Sequence, residues 1–487
     1  MRAARQHKRM TENRKTGVAA ADELLAGMSS ASLYAKSEFV AKNARGCVIA
    51  NVDLTDPEAL RELLRALKST DGSDLAATEE RALVNFEHKR LTDMADAVSG
   101  LLSGDAMVFM EGEADCVLVN VRKYETRAVA EPPTSGVIKG PREGFIESIK
   151  TNLSLLERKL RTPKLKVERL KIGRSTSTDV AVVYVDGIAD AHVAEEILAR
   201  LKKIDIDGII DAHYLQSYLE PRPYSIFAQA GTCEKPDIAA AKLLEGRVAV
   251  LCDGSPIVLT LPFMYFETVQ SADDYYQRSA FASLVRIARA IALALGILLP
   301  GAYVALEIYH FSVLPYQLLL TIINATQGVP LPPLAEILFV MLLFEVIREA
   351  GVRMPQAMGL AMSVVGALVL GDTAVKAGMI GSTAVMMVAL SSIATYTVPD
   401  AADSSSLLRL LFTLAGGLLG LFGLLVGVVI TLTYVAGLNG YGTPYLAPYA
   451  PCVPGDKRDG LLKKPVTDMD RRPSSLPGSN KTRQKEG

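Results

Sequence analysis

Residues 334–371, LAEILFVMLLFEVIREAGVRMPQAMGLAMSVVGALVLG, hold two apolar segments separated by a charged corner with Gly and Pro, Arg348 to Pro355. A water-soluble domain has little reason to set two such segments back to back. A membrane protein needs that corner to turn a chain leaving the bilayer and send it back, because backbone polar groups inside lipid must be satisfied within helices. The stretch therefore predicts the centre of a helical membrane domain.

The rest of the chain divides around it. Up to about Gln277 the sequence is charged and globular in texture, from Ser283 to Leu438 it is mostly apolar, and after Asn439 it is polar and Pro-rich. A length of 487 residues allows two or three domains. The net charge of -1 sums unlike segments, so it points to no partner and gives nucleic-acid binding no support. The N-terminus, MRAARQHKRMTENRKTG, is basic but leads into no apolar run of the kind a secretory signal needs, and is expected to be a disordered cytosolic arm. Cys47, Cys116, Cys233, Cys252 and Cys452 are scattered, without a CxxC pair or a His at ligand spacing. They are expected to be free thiols, with no metal site and no disulfide framework.

The charged half looks built twice. CVIANVDL (47–54) predicts a buried strand, after which Asp56 and Pro57 cap and start a helix; a second, longer helix is expected over 78–102, and AMVFMEG with DCVLVNVRKY predicts a hairpin. VVYVDGIADAHVAEEILARLKKI (182–204) then repeats the first strand and helix, placing Asp190 where Asp56 stands. GRVAVLCDGSPIVLTL (246–261) repeats the hairpin, with Gly254 in the place of Gly112. The expected fold class is an α/β cytosolic N-terminal region of two related lobes followed by an α-helical polytopic membrane domain. Its parts are a basic arm (1–30), a first lobe (31–125), a linker and helix (126–160), a second lobe (161–277), the transmembrane domain (278–438) and a polar tail (439–487).

No enzyme chemistry presents itself in the lobes. Gly140-Pro-Arg-Glu-Gly144 precedes a helix, where backbone N–H groups can favour an anion, but it lacks a GxGxxG or GxxxxGK[ST] context and is expected to be a linker turn. His192 and His213 lie on predicted helices far from any partner at metal spacing, and are expected to be surface or capping residues. The acidic pair Asp205 and Asp207 is expected to close a helix ahead of Gly208. Without a Ser-His-Asp set or a carboxylate pair, no catalytic residue is named and no cofactor is expected.

In the apolar half, Arg278, Arg286 and Arg289 flank the first run, 290–306, and mark its cytosolic end. Residues 314–331 are too short and too polar for a full span of ~20 residues and predict a re-entrant or interfacial helix. Crossings are expected over 334–347, 357–371, 379–398 and, last and longest, 407–438. Five crossings from an inside start leave the C-terminus outside, whereas the many Lys and Arg of the tail favour the inside, so at least one segment must count differently. Gly416, Gly420, Gly423 and Gly427 put small residues along one stripe of the last helix, a packing seam. Glu336, Glu345, Arg348 and Glu349 lie on or at the end of one short helix; such groups often line water-filled paths and are candidate pore-lining or gating residues. Glu345 and Arg348 are three apart, so an ion pair within the helix is the alternative.

The runs EPPTSGVIKGPREGFIESIKTNLSLLERKL, IGRSTSTDVAVVYVDGIAD, LLEGRVAVLCDGSPIVL, QSADDYYQR, FEVIREAGVRMP and VGALVLGDTAVKAGMIGSTAVMMVALSSIATYTVP together resemble the GerA family of spore germination proteins. The resemblance covers roughly 122–398 plus the final helix. GPREGF and DAHYLQSYLEPRPYSIFAQ are more similar to the A subunit of a nutrient germinant receptor than to the related stage V sporulation protein AF. Two places depart from the family pattern: Cys233 and Lys235 interrupt its Thr-Glu-Arg-Pro-Asp run, and Leu156-Glu-Arg-Lys159 stands where the family favours Arg in the helix after GPREGF. The resemblance implies a protein of the inner spore membrane with its lobes on the core side, acting with B and C subunits. It also implies a homo-oligomer in contact with membrane lipid, forming an ion channel opened by a partner sensor. The readings held beside it are an AF-type channel component, a coupling scaffold that conducts nothing, and a secondary transporter, which the lack of an inverted repeat disfavours.

Overall fold

Strand residues alternate between two faces, so a strand that is apolar throughout needs cover on both. Cys47 to Ala50 and Ala106 to Met110 are such runs, all buried. The structure is a computed structural model that describes residues 18–41, 44–69, 75–113, 115–123, 139–353 and 371–484. Its first part comprises α1 (Val18–Gly27), β1 (Tyr34–Ala41), β2 (Ala44–Asn51), α2 (Pro57–Ser69), α3 (Leu75–Ala82), β3 (His88–Leu91), α4 (Met94–Leu101), β4 (Ala106–Met110) and β5 (Cys116–Val119). The strands form an antiparallel sheet in the order β1-β2-β4-β5-β3. Val48, Ala50, Val108 and Val117 pack on Leu63 and Leu67 of α2, while Cys47, Ile49, Met107 and Phe109 pack on Leu24 of α1 and Leu101 of α4.

Two expectations change here. The single helix over 78–102 is instead α3, β3 and α4, because His88 to Leu91 pair with β5 as the sheet edge and Asp93 starts a new helix by accepting from Ala95 N at 2.9 Å. The arm expected to be disordered to residue 30 is helical over α1, where burying Ala21, Leu24 and Met28 covers the second face of the sheet. The basic residues 1–17, the Pro-rich linker at 128–138 and nearly all of the crossing expected over 357–371 lie outside the described residues.

The second part comprises α5 (Ile149–Lys159), β6 (Leu165–Ile172), β7 (Thr178–Val185), α6 (Ala191–Lys202), α7 (Ala212–Leu219), β8 (Gly231–Cys233), α8 (Pro236–Glu245), β9 (Val248–Cys252) and β10 (Val258–Leu261). Its antiparallel sheet runs β6-β7-β9-β10-β8, the same order as the first. Local chemistry matches as well. Asp56 accepts from Glu58 N at 3.0 Å and Asp190 from His192 N at 2.9 Å, each satisfying a free N–H at a helix start. Gly112 and Gly254 turn the two hairpins at φ 91 and 84, a region that favours glycine. Residues of the polar tail join this part, with Arg472 Nε donating to Leu244 O at 2.6 Å.

Contacts divide the chain into two units, residues 1–223, 230–263 and 470–487, and residues 224–229 with 264–469. The second unit comprises α9 (Ala272–Tyr276), α10 (Ser279–Ile308), α11 (Tyr316–Thr326), α12 (Pro333–Arg353), α13 (Ser382–Tyr396) and α14 (Ala402–Ala436). Ile337 and Val340 of α12, Val304 of α10 and Ala384 and Val388 of α13 form its core. Among the described residues, α10 and the segment Pro399–Ala436 are long and apolar enough to cross a membrane.

The single crossing expected over 407–438 is corrected by the structure. Gly420 has φ 64 and ψ -151, a combination essentially closed to residues with a side chain, and the chain reverses there. A Cβ on Gly427 would lie 2.9 Å from the ring of Phe412, fifteen residues back, a distance no continuous helix permits. α14 is thus a hairpin of two antiparallel helical halves. Its tip lies at the C-terminal end of α10, where Tyr309 Oη donates to Leu418 O at 3.0 Å.

Candidate functional site

The helical unit carries charge in an apolar setting. Glu336, in the first turn of α12, is 1% exposed, and its Oε1 accepts from Gly381 N at 2.6 Å. Gly381 is the N-cap of α13, so the carboxylate takes one of the free N–H groups at the positive end of that helix. Two residues on, Thr383 Oγ1 meets Tyr303 Oη at 2.9 Å, which ties α10 to the same place.

Two turns further along α12, Glu345 is held by Arg348 and lies 3.8 Å from Arg409 of α14. Arg409 is 5% exposed and donates to Ser392 Oγ of α13 at 3.0 Å. Three helices therefore meet at one guanidinium. Glu349 stands apart, paired at 2.6 Å with the exposed Arg353. The four residues singled out on α12 thus occupy three settings: Glu336 at a buried helix end, Glu345 and Arg348 in a cluster with Arg409, and Glu349 in an exposed pair.

The glycines pack closely at two levels. Gly416 faces the backbone of Gly301 on α10, whereas Gly423 faces Ala415 and Gly427 faces Phe412 within the hairpin itself. Gly420 makes the turn. The stripe thus serves one contact with α10 and the closure of α14 on itself.

A further charged cluster lies at the start of α10. Arg286, 0% exposed, donates to Asp274 Oδ2 at 2.9 Å, to Asp459 Oδ1 at 2.8 Å and to Gly460 O at 2.7 Å, and Arg289 donates to Asp274 Oδ1 at 2.8 Å. Of the arginines that flank the first apolar run in sequence, Arg286 thus binds a segment of the tail. Neither Asp459 nor Arg409 was foreseen. A lone Arg in the run LLRLLFTLAGG was the available signal for Arg409; for Asp459, 173 residues from Arg286, none existed.

In the lobes, Glu143 of the GPREG turn pairs with Arg158 and Lys159, and Lys235 Nζ donates to Pro141 O at 2.6 Å, which makes the turn a structural junction. His192 lends only its backbone N–H to the Asp190 cap. His213 Nδ1 lies 2.6 Å from Asp211 Oδ1, and Ser255 Oγ donates to Asp211 Oδ2 at 2.6 Å. Ser, His and Asp meet here, but the Asp stands between the other two and caps α7. Among the described residues no imidazole contacts the hydroxyl, so the set lacks the Ser–His contact of a hydrolase triad. Among the described residues no group of three or more His, Cys, Asp or Glu is placed to hold a metal ion.

These features define a class: a double α/β lobe followed in the chain by an apolar helical bundle with paired internal charges. The chain belongs to the GerA family, "Bacillus/Clostridium GerA spore germination protein", whose model matches residues 24–475. It is similar to spore germination protein KA of Bacillus subtilis (strain 168), 37% identical over 388 residues, 79% of this chain and 71% of that one. Spore germination protein GerLA of Bacillus cereus is 32% identical over 445 residues, 90% of each chain. Among solved structures, the N-terminal domain of the A subunit of the Bacillus megaterium spore germinant receptor GerK3 matches 52% of this chain and 96% of its own, at 27% identity and a TM-score of 0.41.

Proposed function

We propose that this chain is the A-type membrane subunit of a spore nutrient germinant receptor, set in the inner spore membrane with its lobes on the core side. In this reading it acts with B and C subunits and assembles with copies of itself in membrane lipid. The assembly forms an ion-conducting channel that opens on a signal from a partner sensor, and no enzymatic step is involved. The observation that carries the channel reading is the burial of Glu336 and Arg409 within an apolar bundle, where charged groups are costly and often line water-filled paths.

The reversal at Gly420 supports a polytopic arrangement with an even number of crossings. The crossings are α10, α12, the segment expected over 357–371, α13 and the two halves of α14. One contact supports placing both ends of the bundle on one side: Arg286 at the start of α10 binds Asp459 beyond α14. The Lys and Arg of the tail then lie inside, in line with the positive-inside rule.

Glu336 is the proposed pore or gate residue of first rank, followed by Glu345 with Arg348, and then Glu349. Purified full-length chain in liposomes should carry monovalent cations, and Glu336→Gln should change the relative permeability of potassium and sodium. Detergent-solubilised mass should give a ring of copies. A monomer impermeable to ions with its partners present would end the channel reading.

One observation favours a second reading, a coupling scaffold: Glu336, Glu345 and Glu349 each already have a protein partner. Glu336→Gln spores that lose the germination response with unaltered ion selectivity would support it. The stage V AF-type assignment makes the same structural predictions and differs in partners, so co-purification with B and C subunits separates the two.

A further inference from the structure

The two lobes meet at a seam that buries acids from both sides. Asp53 follows β2 in the first lobe, and its side chain is 1% exposed; Glu157 on α5 is 5% exposed. Each spends one oxygen on a defined partner. Arg169 Nη2 of β6 donates to Asp53 Oδ2 at 2.5 Å, and Asn51 Nδ2 donates to Glu157 Oε2 at 2.7 Å. Asn51 is fixed in turn, since its Oδ1 accepts from the backbone N–H of Asp53 at 2.9 Å and of Leu54 at 3.3 Å. The remaining oxygens, Asp53 Oδ1 and Glu157 Oε1, are both buried and have no hydrogen-bond partner among the described residues.

Two neighbouring buried acids, each with an oxygen that has no donor, are unfavourable as a pair of anions, and a proton on one of them removes a buried charge. We propose that Glu157 holds a proton at this seam, beside Asp53, and forms a proton-operated latch between the two lobes. The charged and titratable groups around Glu157 are Asp53 from the turn after β2, Arg169 from β6 and Tyr34 from β1. Its neighbours on α5, Arg158 and Lys159, are engaged by Glu143. Burial first, and then the charge of Asp53, push the Glu157 carboxyl up to about 8 from its ordinary 4.5, against smaller opposing effects of Asn51 and Arg169. The Arg169 side chain, 46% exposed, leaves a wet rim through which the proton can exchange.

The direction follows from linkage. Because the closed seam holds the proton more tightly than an open one, its contribution is whole below about 4.5, declines as pH rises, and is gone above about 8. The latch closes in acid and opens in mild alkali.

The test is amide exchange on the full-length chain in detergent from pH 5 to 9, corrected for intrinsic exchange and read over 47–55 and 163–170. Seam opening should rise by up to about tenfold per pH unit and level off near pH 8, while β9 in the second sheet stays protected. Glu157→Gln, which keeps a donor at the seam without a titrating proton, should be flat and closed throughout. Asp53→Asn should bring the levelling point to lower pH, and Arg169→Met should raise it. A flat wild-type profile, a transition retained in Glu157→Gln, or shifts of the other two variants in one common direction would overturn the latch. So would a seam tightened by magnesium at pH 9, which would make the missing partner a cation. Should Glu157→Gln fail to fold, the opposed shifts of Asp53→Asn and Arg169→Met decide alone.

Discussion

The helix starts of the lobes and the buried charges of the helical bundle find their partners over very different distances in sequence. In the lobes, Asp56, Asp93 and Asp190 cap helix starts from one or two residues away, and the strands satisfy one another by pairing. In the bundle, Glu336 caps a helix start 45 residues away, and Arg286 binds a carboxylate 173 residues away. Local capping costs little to lose, because water reaches the freed group. A charge buried by tertiary structure has no such substitute, so Glu336 and Arg286 in the bundle are more costly to disturb than the local caps of the lobes.

That contrast can be broken by substitution. Arg286→Met removes the partner that Asp274 and Asp459 share, with Arg289 still on Asp274, and should lower stability by about 3 kcal/mol, the cost of breaking a buried ion pair. A loss under 1 kcal/mol in detergent unfolding would remove the distinction. Gly420→Ala forces a side chain into φ 64 and ψ -151 and places its Cβ 2.9 Å from His310 Cε1. It should cost about 1–3 kcal/mol and lower the yield of folded chain in membranes. An unchanged yield and thermal midpoint would mean that the segment does not reverse there.

Asp190→Ala in the second lobe should cost about 1 kcal/mol, and Asp56→Ala in the first lobe about the same, since the two caps are equivalent in geometry. Chemical denaturation of each variant checks this, and a difference of several-fold between them would show that the lobes are not energetically alike. The smallest effect is expected at Glu349→Gln, whose exposed pair with Arg353 should contribute at most about 1 kcal/mol. A larger loss of stability, or a change in ion permeability, would move Glu349 from the surface into the conducting part.

The division into a mixed α/β half and an apolar helical half was legible in sequence, as was the family, because hydropathy and motif order are carried by consecutive residues. The sheet edge at His88 to Leu91 was missed: HKRL has no strand pattern of its own, and its conformation follows from pairing with Cys116 to Val119. For the candidate site, the acids of α12 stood out as charge in an apolar run, but nothing near Glu336 indicated that Gly381 would meet it. Arg409 went unremarked for the same reason.

The sequence by itself determined the caps at Asp56 and Asp190, the turns at Gly112 and Gly254, and the apolar runs, each of which depends on interactions within a few residues. Tertiary structure alone decided that Gly420 is a reversal and not one more small residue in a seam, that Arg286 binds the tail, and that Asp53 and Glu157 are buried near one another between the lobes. These outcomes depend on which distant groups exclude water together. A glycine in an apolar run reads the same whether the chain continues or turns, and a carboxylate reads the same whether its partner is solvent or a second acid.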